Sequence, residues 1–85
     1  MPLRFVGIDP STENDGSPTV WVDDEKREIV IQGYQVTSDM LAEISGIEWV
    51  PGHTVGIPEG EVVIRIPARM APILRKACDD ADRPA

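Results

Sequence analysis

Two short runs of β-branched and aromatic residues, Thr19 to Asp23 (Thr-Val-Trp-Val-Asp) and Glu28 to Tyr34 (Glu-Ile-Val-Ile-Gln-Gly-Tyr), flank the charged tetrapeptide Asp24-Glu25-Lys26-Arg27. Such side chains favour a pleated surface, and a short polar link between two of these runs reads as a β-hairpin. Side chains alternate along a strand. Val20 and Val22 therefore share one face, as do Ile29 and Ile31, with Trp21, Val30 and Tyr34 opposite. A two-stranded hairpin is marginal in water, so the rest of the chain must supply further strands or a covering helix.

Both are present in the pattern. Leu3 to Ile8 reads as a short edge strand that Asp9-Pro10 terminates, because the residue before proline is restricted and proline lacks a ladder donor. Glu61 to Ile66 (Glu-Val-Val-Ile-Arg-Ile) reads as another strand, with Val62, Ile64 and Ile66 on one face and Val63 and Arg65 on the other; Pro67 ends it. From about Arg69 to Ala81, the residues Met70, Ile73, Leu74, Ala77, Cys78 and Ala81 recur at offsets of three and four, the stripe of a core-facing helix. Pro72 puts the start of that helix near Ala68 or later, since proline is tolerated only in the first turn. Thr37 or Ser38 can cap a shorter helix of at most two turns, with Asp39 in its first turn, Leu41 and Ile44 on one side and Gly46 just past its end.

The remaining segments are loops. Ser11 to Pro18 is polar with an Asn-Asp-Gly turn core, whereas Ile47 to Gly60 is an apolar loop, broken repeatedly by Pro and Gly around Trp49 and His53. The predicted fold is α+β: a small antiparallel sheet of three to four strands, a C-terminal amphipathic helix and a short middle helix. It is expected to form a single domain over residues 1–85, with 82–85 as a frayed tail. The C-terminal helix is expected to cover the face of Val20, Val22, Ile29, Ile31 and Ile64. The opposite face, with Trp21, Val30, Tyr34 and Val63, is too apolar to be left wet. Either the short helix and the Trp49 loop fold back over it, or it is an interface with a partner or a second copy. Trp and Tyr are enriched at interface hot spots, so Trp21, Tyr34 and Trp49, with Val30 and Val63, are the candidate contacts.

A catalytic centre is not expected. Nucleophilic chemistry needs a nucleophile, a base and an orienting group, and the chain has one His and one Cys. His53 lies in a Pro-Gly-His turn, and Cys78 lies on the helical apolar stripe, where a buried thiol behaves as a small hydrophobe. Ser11, Glu13, Asp15 and Gly16 fall at positions one, three, five and six of a calcium loop, but position twelve is Val22 rather than the bidentate Glu such a loop requires. The glycines form neither a phosphate-cradling nor a dinucleotide spacing. No metal and no cofactor are expected.

Fifteen acidic residues against eight basic ones give a formal charge of -7, a field that repels a phosphate backbone. Direct nucleic-acid binding is therefore the lesser alternative, with Arg65, Arg69, Arg75 and Lys76 as its densest basic group. A lone cysteine excludes an intramolecular disulfide and fits a reducing compartment. The N-terminal apolar run is too short for a signal peptide, and no stretch approaches a membrane span, so the expected location is cytoplasmic.

Gly7-Ile8-Asp9-Pro10 with Thr12-Glu13-Asn14 and Gly16 to Asp23, followed by Arg65 to Met70 with Pro72 and Arg75-Lys76-Ala77-Cys78, resemble a family of small uncharacterised actinomycete proteins. The resemblance covers most of the chain and is weakest from Thr37 to Gly60. Members of that family tend to be encoded beside helix-turn-helix regulators, which implies a regulatory partner protein by association. The expected function is that of a non-enzymatic interaction or regulatory accessory protein, whose partner is another protein or itself. The alternatives are a DNA-binding accessory factor and a small-ligand-binding or enzymatic domain around Trp49 and His53.

Overall fold

The computed structural model describes residues 3–11 and 17–83. The core of the predicted loop, Thr12 to Gly16, and the last two residues of the predicted tail lie outside them, as do three positions of the calcium-loop comparison. The chain divides into two compact units, one of residues 1–34 with 66–85 and the other of residues 35–65.

In the first unit, β1 (Leu3–Ile8), β2 (Thr19–Asp23) and β3 (Glu28–Gln32) form an antiparallel sheet in the order β1-β2-β3. The hairpin register pairs Val20 with Ile31, Trp21 with Val30 and Val22 with Ile29, so the predicted face assignment of these six residues holds. Asp23 shapes the turn: its Oδ1 accepts the backbone N–H groups of Glu25 and Lys26 at 3.1 and 3.0 Å. Arg27 closes it at φ 60°, a left-handed conformation unusual for a residue with a side chain.

After Pro67 a 3₁₀ turn (Ala68–Met70) leads into α2 (Ala71–Asp82), with Pro72 accommodated at the helix start. The helix packs over β2 and reaches β1 and β3. Val20, Val22, Met70 and Ala77 are buried at the centre, and Val6, Ile66, Ile73, Leu74 and Ala81 pack around them. Burying such side chains is the main stabilising term, roughly 1.5–3 kcal/mol each before the entropic cost of ordering. A bulge between Phe5 and Gly7 makes Val6 the extra residue in β1. Val6 packs on the core and Gly7 lies beneath Ile73, where an added Cβ would come within 2.9 Å of Ile73 Cγ2. The helix thus approaches β1 closely because residue 7 has no side chain.

Cys78 departs from the sequence reading: it is exposed. Successive helical residues differ by about 100° in direction, and Ala77 takes the central buried position that Cys78 was expected to share.

A separate two-stranded sheet is formed by β4 (Tyr34–Gln35), whose Gln35 begins the second unit, and β5 (Ile64–Arg65), which ends it. Between them α1 (Ser38–Gly46) begins at the predicted cap, where Thr37 Oγ1 accepts the Met40 N–H at 3.2 Å. The helix runs slightly longer than expected and includes Gly46 as its last residue. The predicted strand over Glu61 to Ile66 contracts to Ile64–Arg65 and pairs with β4 instead of joining the hairpin. Glu61 N–H donates to the Pro58 carbonyl at 3.1 Å, which holds the preceding residues in a turn, and Val62 is left 84% exposed. Ile64, expected beneath the helix with Val20 and Val22, is exposed. Residues 35–65 include no fully buried side chain.

Candidate functional site

The sequence-derived contact set separates into distinct places. Trp21 and Val30 are direct cross-strand partners on the sheet face away from α2, and both are half-buried. Phe5 pairs with Trp21 from β1, so one residue from each of the three strands forms a continuous row, and Phe5 is 59% exposed. Sequence reasoning missed Phe5, although its alternation within Leu3 to Ile8 was visible; only the register puts it beside Trp21. Tyr34 and Val63 are not members of this row. Tyr34 belongs to β4 and Val63 precedes β5, outside the three-stranded sheet, because the chain leaves that sheet after Gln32. Both are half-buried.

Trp49 lies in the second unit with 60% of its surface exposed. Its indole N–H donates to the Ile44 carbonyl at 3.0 Å, which satisfies one of the terminal acceptors of α1 and leaves the ring outward. It borders a shallow cleft of about 180 Å³ with Ile44, Ile47, Val50, His53 and Thr54. Sites for drug-sized ligands usually enclose roughly 300–1,000 Å³, and this cleft is smaller. His53 N–H closes a turn onto the Val50 carbonyl at 3.0 Å, and the residue is exposed. Among the described residues, no group of three or more His, Cys, Asp or Glu side chains is placed to hold a metal ion, and no helix is long and apolar enough to cross a membrane.

Several basic residues are engaged within the protein. Asp9, its side chain wholly buried, accepts two hydrogen bonds from Arg69: Nε to Oδ1 at 2.8 Å and a terminal nitrogen to Oδ2 at 2.7 Å. Ser11 N–H adds a third at 3.0 Å. The guanidinium, with help from the Ser11 amide, holds the Asp9 carboxyl below the usual carboxylate range even though burial opposes ionisation. Lys76 donates to Asp80 at 2.8 Å one helical turn on, which likewise lowers the Asp80 carboxyl. Arg65 Nε donates to the Gln35 carbonyl at 3.0 Å. Three of the four residues of the sequence-derived basic group are thus engaged within the protein, and two of them are neutralised by carboxylates.

Arg4 ties three elements together. Its guanidinium grips Asp24 at 2.7 and 3.1 Å and donates to the Asp80 carbonyl near the end of α2 at 3.2 Å. An arginine at a helix C-terminus both satisfies an orphan carbonyl and complements the helix dipole. Asp9 with Arg69 and Arg4 with Asp24 are therefore scaffold pairs, and the first unit also exposes apolar side chains, Phe5 among them. Set against known proteins, the chain matches no family model, no curated protein and no solved structure.

Proposed function

We propose that this chain is a non-enzymatic interaction protein that binds another protein through the sheet face of Phe5, Trp21 and Val30. The observation that carries the reading is the row itself: three apolar side chains from three adjacent strands, aligned on the face away from α2 and open at the Phe5 end. Large flat aromatic surface of this kind gains most from desolvation by a partner. The formal charge of -7 favours a partner with a basic rim, because charge complementarity raises the encounter rate. A helix-turn-helix transcription regulator, implied by the sequence resemblance, is the partner class we propose, with the acidic chain acting as its accessory protein.

The test compares three tagged versions of the protein: wild type, Phe5→Glu and Val62→Glu. Both substitutions add one charge at an exposed position, but only Phe5 lies in the row. A regulator retained by wild type and Val62→Glu and lost with Phe5→Glu is the expected result. Equal retention by all three would remove this face from consideration.

A further inference from the structure

The two edges of the three-stranded sheet are built differently. β1 carries a bulge and Gly7, features that twist an edge away from flat pairing, and its Arg4 is committed to Asp24 and the end of α2. β3 has none of these devices: it is bulge-free against β2, contains no Lys or Pro, and runs Glu-Ile-Val-Ile-Gln. Ile29 and Ile31 lie on the helix side of β3, yet they remain 39% and 38% exposed because α2 is centred over β2. Such an edge is a template for another strand.

The sequence of β3 selects the occupant. It is symmetric about Val30 in residue type, so an antiparallel copy centred there sets Val30 opposite Val30, Ile29 opposite Ile31, and Glu28 opposite Gln32. No like charges meet across the pair, despite the acidity of the chain, and each uncovered isoleucine meets an isoleucine. From this we infer that β3 is a self-association edge, at which two copies join by antiparallel β3 to β3 pairing on a two-fold axis through Val30. Outward-pointing backbone groups alternate along a strand, so the register supplies matched donors and acceptors whether Val30 or its two neighbours face the partner. The contact is isologous, and the protected β1 edges end the sheet at six strands rather than allowing a fibre. Sheet continuation also places the two Phe5-Trp21-Val30 rows end to end on one face. The inference does not rest on the partner proposed above, since the dimer requires only β3.

Register-specific crosslinking tests it. In a Cys78→Ser background, which removes the exposed native thiol, three single-cysteine variants are made: Val30→Cys, Ile29→Cys and Ile31→Cys. Opposed Cα atoms in an antiparallel pair are about 4.5 or 5.5 Å apart, within disulfide range. Val30→Cys alone is expected to oxidise to a covalent dimer. Ile29→Cys and Ile31→Cys are expected to crosslink when mixed, at least fivefold faster than either does alone. Light scattering of the uncrosslinked protein should show a mass that rises towards twice the monomer with concentration, and further with added salt, which screens the repulsion between two acidic copies. A monomer at every concentration and salt, or crosslinking without this pairing pattern, would overturn the inference. Either result leaves the retention of a regulator by Phe5 as a separate question.

Discussion

Asp9 and Arg69 stand sixty positions apart in the chain and meet in a two-pronged ion pair, with the carboxylate fully buried and the guanidinium 47% exposed. The pair joins the end of β1 to the 3₁₀ turn that launches α2, and so fixes where the helix begins its path over the sheet. Arg4, Asp24 and the Asp80 carbonyl do the same at the far end of the helix.

Replacing Arg69 with alanine removes the guanidinium from a carboxylate that has no exposure to water, and is expected to lower the thermal midpoint more than Asp9→Asn does. The pH dependence follows from the lowered Asp9 carboxyl. Its contribution is fully present above the ordinary aspartate value of about 3.9 and is lost as the pH falls through the lower native value. Thermal melts of wild type and Asp9→Asn between neutral and strongly acidic pH should show a gap at neutrality that closes only below that ordinary value.

Gly7→Ala forces the added methyl against Ile73 and is expected to cost about 1–3 kcal/mol, in line with overpacking elsewhere. Ile73→Ala removes the three atoms nearest to that methyl, so the double variant should lose less than the sum of the two single losses. Urea denaturation of the four proteins measures the coupling.

Met70 is fully buried at the junction of the 3₁₀ turn and α2, among Val20, Val22 and Ala77. Met70→Ala is expected to destabilise by roughly 2–5 kcal/mol. Phe5→Ser, in contrast, should stay within about 0.5 kcal/mol of wild type, since most of that ring is in water already. Equal losses at the two positions would mean that Phe5 belongs to the core.

In the second unit, Thr37→Ala removes the side-chain cap of α1 and is expected to cost the helix about 1 kcal/mol. Because residues 35–65 bury no side chain completely, that loss should appear as faster amide exchange in α1 while exchange in β2 stays unchanged.

What the sequence revealed follows the range of the interactions. The hairpin faces and the Met70, Ile73, Leu74, Ala77 and Ala81 stripe are set by neighbours two to four positions apart, so periodicity exposes them. Cys78 falls at the margin of that stripe, where one residue changes inside to outside. Glu61 to Ile66 alternates like a strand, but alternation cannot tell a segment that finds a ladder from one held in turns, and Val62 is therefore exposed at a position whose spacing predicts a strand. Tyr34 would share the face of Val30 and Trp21 only if β3 continued past Gln32, where it ends. The Asp9–Arg69 and Arg4–Asp24 pairs leave no periodic trace, and Phe5 became a candidate only once the register set it beside Trp21.

The clamp of β4 on β5 has a consequence for how this protein tolerates change. Arg65 reaches back to the Gln35 carbonyl, so the chain leaves the first unit and returns to it through two strands already tied together. The stretch between β4 and β5 is therefore a closed loop, and the entropy of closing a loop grows only logarithmically, about 0.6 kcal/mol for each doubling of length. Insertions between α1 and β5 are therefore expected to be absorbed at little cost to stability.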